Sequence, residues 1–457
     1  MSNISEADKY ANLNQTVMNM LNKPSFGWWT IFVIDLMFLA FGIYCFMYQV
    51  YTGLGVAGYS HPVLWGVYIT NFVFWVGIAH SGTLISAVLY LFRARFRMSI
   101  YRIAEAMTVF AVFTAGLFPI IHLGRPWNFY WLLPYPNQRG LWVNFDSPLL
   151  WDVFAVSTYL TISSTFFFIG MIPDIAAIRD SVVGKAKKTF YSVLSLGWKG
   201  SSWEWGHYTR AYFYFAAFAT PLVISVHSVV SWDFAMANTP GWHTTIFPPY
   251  FVAGAIFSGL AMVITLVIPL RSIFKMENYI TMDNFDGMCK MIILTSSIVF
   301  YAYLTEFFIA WYSDNKYEYD QFIYRATGDY ALFYWTMMFC NGIVPHVLWF
   351  KKIRQNLKIL FVISLLINVG MWFERFNIIV ISLANEFEPG SWGLYKPSWV
   401  ELGITVGSFA WFFMFFLIFV RTLPALSIAE IKEILPVPKK NGGSDNCLLY
   451  TSPSPRA

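Results

Sequence analysis

Residues 103–131 read IAEAMTVFAVFTAGLFPIIHLGRPWNFYW. The first twenty are almost wholly apolar, the length an α-helix needs to cross the hydrocarbon of a bilayer. They end on His122, and a Gly-Arg-Pro turn with Arg125 then leads into Trp127, Phe129, Tyr130 and Trp131. Another acid, Asp152, stands just inside the next apolar run. This is the pattern of a membrane-crossing helix with ionisable groups placed where it meets water.

The rest of the chain has the same character. Of its 457 residues, 57% are hydrophobic and 12% charged, with a mean hydropathy of +0.53. A soluble chain would carry about 25% charge, so the fold class is all-α integral membrane. Apolar runs fall at 28–50, 63–92, 103–122, 149–172, 211–232, 249–270, 291–312, 330–350, 359–382 and 401–420, which gives ten spans. The first 27 residues are polar and contain no cleavable signal, so the first run is expected to stay as a span.

Walking alternately across the membrane from an inside N-terminus leaves 24 Lys and Arg inside and 5 outside, with Arg375 within a span. That bias orients the chain with both termini cytoplasmic. Residues 1–27 form a cytoplasmic N-terminal segment, 28–420 the membrane domain and 421–457 a cytoplasmic tail. The end of the tail, NGGSDNCLLYTSPSPRA (441–457), fits nothing before it and resembles translated sequencing-adaptor readthrough, so no role is placed on Cys447.

Two spans echo each other. Gly77, Ser81 and Gly82 of GIAHSGTLISAVL return 177 residues later as Gly254, Ser258 and Gly259 of GAIFSGLAMVITL. The same offset carries Asp152 onto Asp329. The expectation is a parallel repeat with units at about 63–232 and 249–382; the competing explanation is that small residues recur on any closely packed helix face.

On this topology His122, Asp152 and Arg375 lie near the outer boundary of the hydrocarbon. A charge within a span costs on the order of 2.5–3.5 kcal/mol and is usually paired or functional. Ser147 or Asp146 is an expected N-cap before Pro148, which puts Asp152 one turn into its helix. Each residue also has a plain structural reading: Arg375 pairing with Glu374, His122 and Asp152 as accepted interfacial groups. Together they suit oxidation of a quinol. His and Asp accept its hydroxyl protons and Arg biases the headgroup. Trp127 and Tyr130 are candidates for the pocket wall or for an interfacial aromatic belt. The four cysteines, Cys45, Cys289, Cys340 and Cys447, form no CxxC or CxxCH motif. No metal site, haem or iron–sulfur cluster is therefore expected on this chain, and electrons must leave to a partner. The net charge of +5 resides in particular loops and gives no reason to expect nucleic acid.

At these residues the chain resembles the NrfD/polysulfide-reductase membrane-subunit family, and within it the ActC quinol-oxidising subunits of bacterial alternative complex III. The similarity covers about residues 25–435. It rests on HLGRPWNFYWLLPYPNQRGLWVNFDSPLLWD (122–152), NTPGWHTTIFPPYFVAGAIFSG (238–259) and GMWFERFNIIV (370–380). The resemblance implies two four-helix bundles, spans two to five and six to nine, flanked by spans one and ten. It implies menaquinol or ubiquinol as substrate in the bacterial inner membrane, with His122, Asp152 and Arg375 at the site. The implied partners are a periplasmic iron–sulfur subunit, multihaem c-type cytochrome subunits, a paralogous NrfD-like membrane subunit and a terminal oxidase, all within lipid. It also suggests proton movement, for which His80, Glu105, His227, Asp233, Tyr301, Tyr303 and Glu306 are the candidate relay groups.

Four other readings stay open. A b-type cytochrome needs facing histidine pairs; His122 and His227 both read as outer, while His80 and His346 differ in depth. A transporter or proton-conducting subunit would place its polar groups nearer the midplane. An ActF-like paralogue would lack a working quinol site. The anchor of a polysulfide- or sulfoxide-type reductase would run quinone chemistry for a different terminal partner.

Overall fold

The structure is a computed structural model that describes residues 6–134 and 145–435. Arg139 and the anomalous tail at 441–457 lie outside the described residues. The helices are α1 (Glu6–Met20), α2 (Phe26–Thr52), α3 (Val67–Leu91), α4 (Tyr101–His122), α5 (Pro148–Ser181), α6 (Lys185–Leu194), α7 (Ser202–Ala235), α8 (Phe247–Ile273), α9 (Met282–Tyr312), α10 (Lys316–Thr327), α11 (Ala331–Trp349), α12 (Leu357–Ala384), α13 (Trp399–Thr422) and α14 (Ile428–Ile434). Ten are long and apolar enough to cross a membrane: α2 to α5, α7 to α9 and α11 to α13. All ten expected spans are present.

Several helices outrun their apolar stretches. At the start of α7 the Ser201 hydroxyl and the Glu204 carboxylate satisfy each other's backbone N–H groups, so the helix begins nine residues before its apolar run. Thr281 and Asn284 do the same for α9. The expected cap of α5 is half met. Ser147 occupies the N-cap position before Pro148, but its side chain makes no capping hydrogen bond.

Helices α3, α4, α5 and α7 pack as one bundle and α8, α9, α11 and α12 as a second. The two meet where α3 packs on α8, with α7 against α8 and α12 against α3. Helices α2 and α13 pair with each other and lean on α3 and α4. Helix α3 is therefore enclosed on every side, and Thr70, Asn71, His80, Ser81, Thr83 and Ser86 are all buried along it. Neighbouring helices satisfy some of these groups: Asn71 Nδ2 donates to Thr405 Oγ1 at 2.8 Å, and Asn71 Oδ1 accepts from Trp372 Nε1 at 2.8 Å. Helix α2 instead turns apolar side chains such as Phe38 and Met47 outward to lipid.

The echoed small residues lie in the seam between the bundles. A Cβ added at Gly259 would meet the Ser81 side chain and stand 2.7 Å from the Ile78 carbonyl oxygen. One at Gly77 would stand 3.6 Å from Ser258 Oγ. Close backbone approach through small residues is how membrane helices gain packing without a hydrophobic driving force between them. The echo does not extend to the acids: Asp152 is buried in α5, whereas Asp329 is exposed ahead of α11 and accepts from Tyr324.

Gly259→Val should overpack this seam at a cost of about 1–3 kcal/mol. The full-length chain in detergent should lose its monodisperse elution peak at a lower temperature than wild type. Gly55→Val, at a position with no atom within 4 Å of an added Cβ, should not shift that temperature.

Candidate functional site

The sequence expectation puts the end bearing His122 outside. There Gly116 interrupts α4, and a last short turn carries His122 to its close. Gln49 of α2 steadies that turn by donating to the Ile121 carbonyl at 3.0 Å, and Tyr68 donates to the Gln49 amide oxygen. The Tyr59 hydroxyl lies 3.3 Å from His122 Nδ1, the two rings edge-on. Tyr59 also stacks on Tyr395, which donates to Glu401 Oε1 at 2.5 Å. Glu401 is buried and its other oxygen accepts from the Gly58 amide at 2.7 Å. Burial, with the Glu401 carboxylate beside them, pushes the Tyr59 and Tyr395 hydroxyls well above the ordinary phenol range. Both stay protonated and neutral. When His122 donates from Nδ1 to Tyr59, Nε2 is left as an acceptor.

Trp127 and Tyr130 do not close over this histidine. They ride on the turn Pro126–Leu132 and are 59% and 44% exposed. Their neighbours Phe129 and Trp131 are similarly exposed. A row of outward rings at a helix end suits an interfacial belt.

Asp152 is 6% exposed on α5 and interacts side chain to side chain with Asp233 of α7. Trp151 and Trp232, one residue before each acid, meet edge-on at 5.7 Å and hold the two helix ends together. Two carboxyls share a hydrogen bond only when one keeps its proton. Oδ1 of each acid has no protein partner.

Arg375 lies elsewhere. It sits nine residues before the end of α12, roughly 14 Å inward at 1.5 Å per residue. Its guanidinium pairs with Glu374 Oε1 at 2.9 Å and covers the Phe251 ring at 4.4 Å. Tyr303 donates to the other Glu374 oxygen, and Asn341 donates to the Tyr303 hydroxyl at 3.0 Å. The three expected site residues thus have three separate sets of partners among the described residues. Helix α12 ends at Ala384, two residues past the expected run and after a π-helical turn, Asn377–Ile381, so Arg375 lies slightly deeper than expected.

The expected relay residues fall into groups. His80 and His227 face each other with ring centroids 4.4 Å apart, against the sequence expectation that they differ in depth. Helix α7 runs on to Ala235, which sets His227 two turns inside its end. The rings are too close to hold a haem iron between them. Both ring nitrogens of His227 and Nε2 of His80 have no protein partner. Glu105 accepts from Tyr212 at 3.3 Å and lies 3.7 Å from Arg102, which pairs with Asp174 at 3.0 Å. Arg102, a loop cation by the charge count, is therefore a buried charge. Glu306, Tyr303, Tyr250, Arg325 and Asn377 line a cavity of about 20 Å³, room for a water. Tyr301 does not belong with them. It is 66% exposed, because residues two apart on a helix face away from each other.

Sequence reasoning missed Tyr59, Tyr395, Glu401, Arg102, Asp174 and Arg325. Only Glu374 carried a legible signal, its place beside Arg375 in FERF. Among the described residues no three His, Cys, Asp or Glu side chains gather as a metal site.

Arg375→Gln should strand the buried Glu374 carboxylate, a loss of about 3–5 kcal/mol. The thermal midpoint in detergent should fall well below wild type and recover in Glu374→Gln/Arg375→Gln.

Known proteins resemble this chain in sequence over most of its length. The membrane subunit of a putative dimethyl sulfoxide reductase from Halobacterium salinarum is 23% identical over 438 residues, covering 88% of this chain and 92% of the relative. A selenate reductase subunit from Mesobacillus selenatarsenatis is 21% identical over 399 residues, covering 82% and 89%. The family described as "Polysulphide reductase, NrfD" matches residues 55–385, from the Tyr59 loop to the end of α12. A ten-span chain with two four-helix bundles, matched over that length, belongs to the NrfD/polysulphide reductase family of membrane subunits.

Proposed function

We propose that this chain is the quinol-oxidising membrane subunit of a multi-subunit respiratory complex in a bacterial inner membrane, with both termini cytoplasmic. Menaquinol or ubiquinol binds at the outer end of the first bundle. The observation that carries this reading is the Asp152–Asp233 pair: two acids together at the lipid boundary, each with a free oxygen. His122 stands at the end of α4 in the same bundle, its ring held by Tyr59. One quinol hydroxyl gives its proton to His122 Nε2 and the other to the acid pair. Two electrons leave for an iron–sulfur subunit docked at the outer face, and the quinone returns to lipid. Arg375 acts at a distance, through the dipole of its pair with Glu374. The exposed row Trp127–Trp131 marks the level at which the headgroup enters sideways.

Two acceptors fit. In an alternative complex III arrangement the electrons pass to multihaem c-type cytochromes and a terminal oxidase, beside a paralogous NrfD-like subunit. The names of the two relatives favour a reductase as the terminal partner. Purifying the chain with its native partners separates these: c-type haem bands support the first, a co-purifying dimethyl sulfoxide or selenate reductase activity the second.

Asp152→Asn should assemble normally but slow quinol-dependent reduction of the partner centres roughly a hundred-fold or more, the scale of a lost general base. Normal turnover would move the quinol site elsewhere. Glu306→Gln in proteoliposomes should lower the protons moved per electron if the cavity beside Arg325 carries protons. An unchanged ratio removes the second bundle from proton transfer.

A further inference from the structure

Helix α6 lies between two spans, joined to α5 by three residues and to α7 by seven. Such short connections hold it at the membrane boundary. Its one buried side chain, Tyr191, donates to the Thr422 carbonyl at the end of α13 and fixes which face looks outward. Ala186, Phe190 and Val193, spaced i, i+4 and i+7, form an exposed stripe, with Phe190 50% and Val193 68% exposed. Lys185 lies on one flank of that stripe and Lys187 on the other. An apolar stripe flanked by lysines is the signature of a helix lying in the interfacial plane.

The loop that follows sets the level. Trp198 and Trp205 meet edge-on at 5.2 Å, and Trp203 is 70% exposed, a cluster of the kind found at headgroup depth. Charge is unbalanced here. Asp180, whose field Lys188 also feels, is held by Arg179 at 2.8 Å, and Glu204 is held by the Ser201 cap. Among the described residues Lys185, Lys187 and Lys188 form no ion pair. Beside the stripe is a surface hollow of about 430 Å³ lined by Lys185, Lys188, Thr189, Ser192 and Val193. Two ammonium groups and two hydroxyls around one opening, with an apolar residue at its edge, match a phosphate attached to an acyl chain.

We propose that this hollow binds the headgroup phosphate of an acidic phospholipid, with Phe190 and Val193 in the acyl region. Helix α6 is then a lipid-anchored strap across the basic side of the first bundle. The site is independent of the quinol reading.

The test is native mass spectrometry of the full-length chain in detergent, offered equal phosphatidylglycerol and phosphatidylcholine with matching acyl chains. Wild type should retain phosphatidylglycerol preferentially. Lys185→Gln/Lys188→Gln should lose roughly five-fold of that preference per lysine, with the thermal midpoint unchanged, and Lys185→Arg/Lys188→Arg should keep it. Inorganic phosphate should not displace the lipid. A photo-crosslinking benzoyl-phenylalanine in place of Phe190 should label lipid in native membranes. No preference in wild type, an unchanged preference in the Gln variant or displacement by phosphate would overturn the proposal. So would crosslinking to another protein, which makes the stripe a subunit interface.

Discussion

The fold depends on the close approach of α3 and α8. Gly259 leaves room for Ser81, and Gly77 leaves room for Ser258. Hydrocarbon gives two apolar helices no reason to prefer each other over lipid, so tight backbone packing, with hydrogen bonds such as that from Trp372 to Asn71, joins the bundles. The same small residues admit the titratable groups. A Cβ at Gly77 would stand 3.9 Å from His227 Cε1, and one at Gly254 would stand 3.3 Å from Arg375 Nη2. The Arg375–Glu374 pair therefore fits against the seam because Gly254 leaves it room, while the histidine pair lies at ordinary contact distance from Gly77. A bulkier residue at Gly254 would disturb packing and charge placement together.

Elsewhere the chain meets the cost of buried charge locally. Arg102 has Asp174 and Glu105, Arg97 has Glu430, and Arg375 has Glu374. Each pair brings opposite charges together, which is the condition for keeping ions in a low-dielectric interior. The first two groupings also tie α14 to the bundle, since Asp174 accepts from the Ala429 amide at 2.9 Å. Asp152 with Asp233 breaks the pattern. It brings two acids together, and no ion pair joins either to a cation among the described residues.

The spans and the unusual place of Asp152 just inside one of them were legible in the sequence, because apolar length and the rarity of intramembrane acids are local signals, whereas the two bundles were implied by the family resemblance and the echo. Partnership was not. Position along a helix follows from counting, but rotation about its axis decides who meets whom. That rotation separated Tyr301 from Tyr303 and turned Asp152 toward Asp233 rather than His122. Helix ends were the second obstacle. Capping boxes started α7 and α9 outside their apolar runs, and the continuation of α7 and α12 shifted His227 and Arg375 inward. Arg102 looked like a loop cation because its acids, Asp174 and Glu105, are 72 and 3 residues away, and only the fold of α4 against α5 unites the first of them with it.

These differences bear on which groups can take a proton from a substrate. Glu374 is a poor acceptor, because a proton there would cancel its attraction to Arg375 and leave a buried cation unpaired. Glu105 is the looser partner of Arg102, which Asp174 holds more closely. The Asp152–Asp233 pair has no such cation to lose. It already requires one proton to hold together, and its free oxygens are open to another. His122 is held by a neutral tyrosine, and no acid pairs with it among the described residues. Acids bound to cations fix the bundles and their field, while acids and bases without cations remain for proton exchange. Under the proposed function, that division assigns substrate protons to the Asp152–Asp233 end of the first bundle, while Arg375 and Glu374 balance each other's charge.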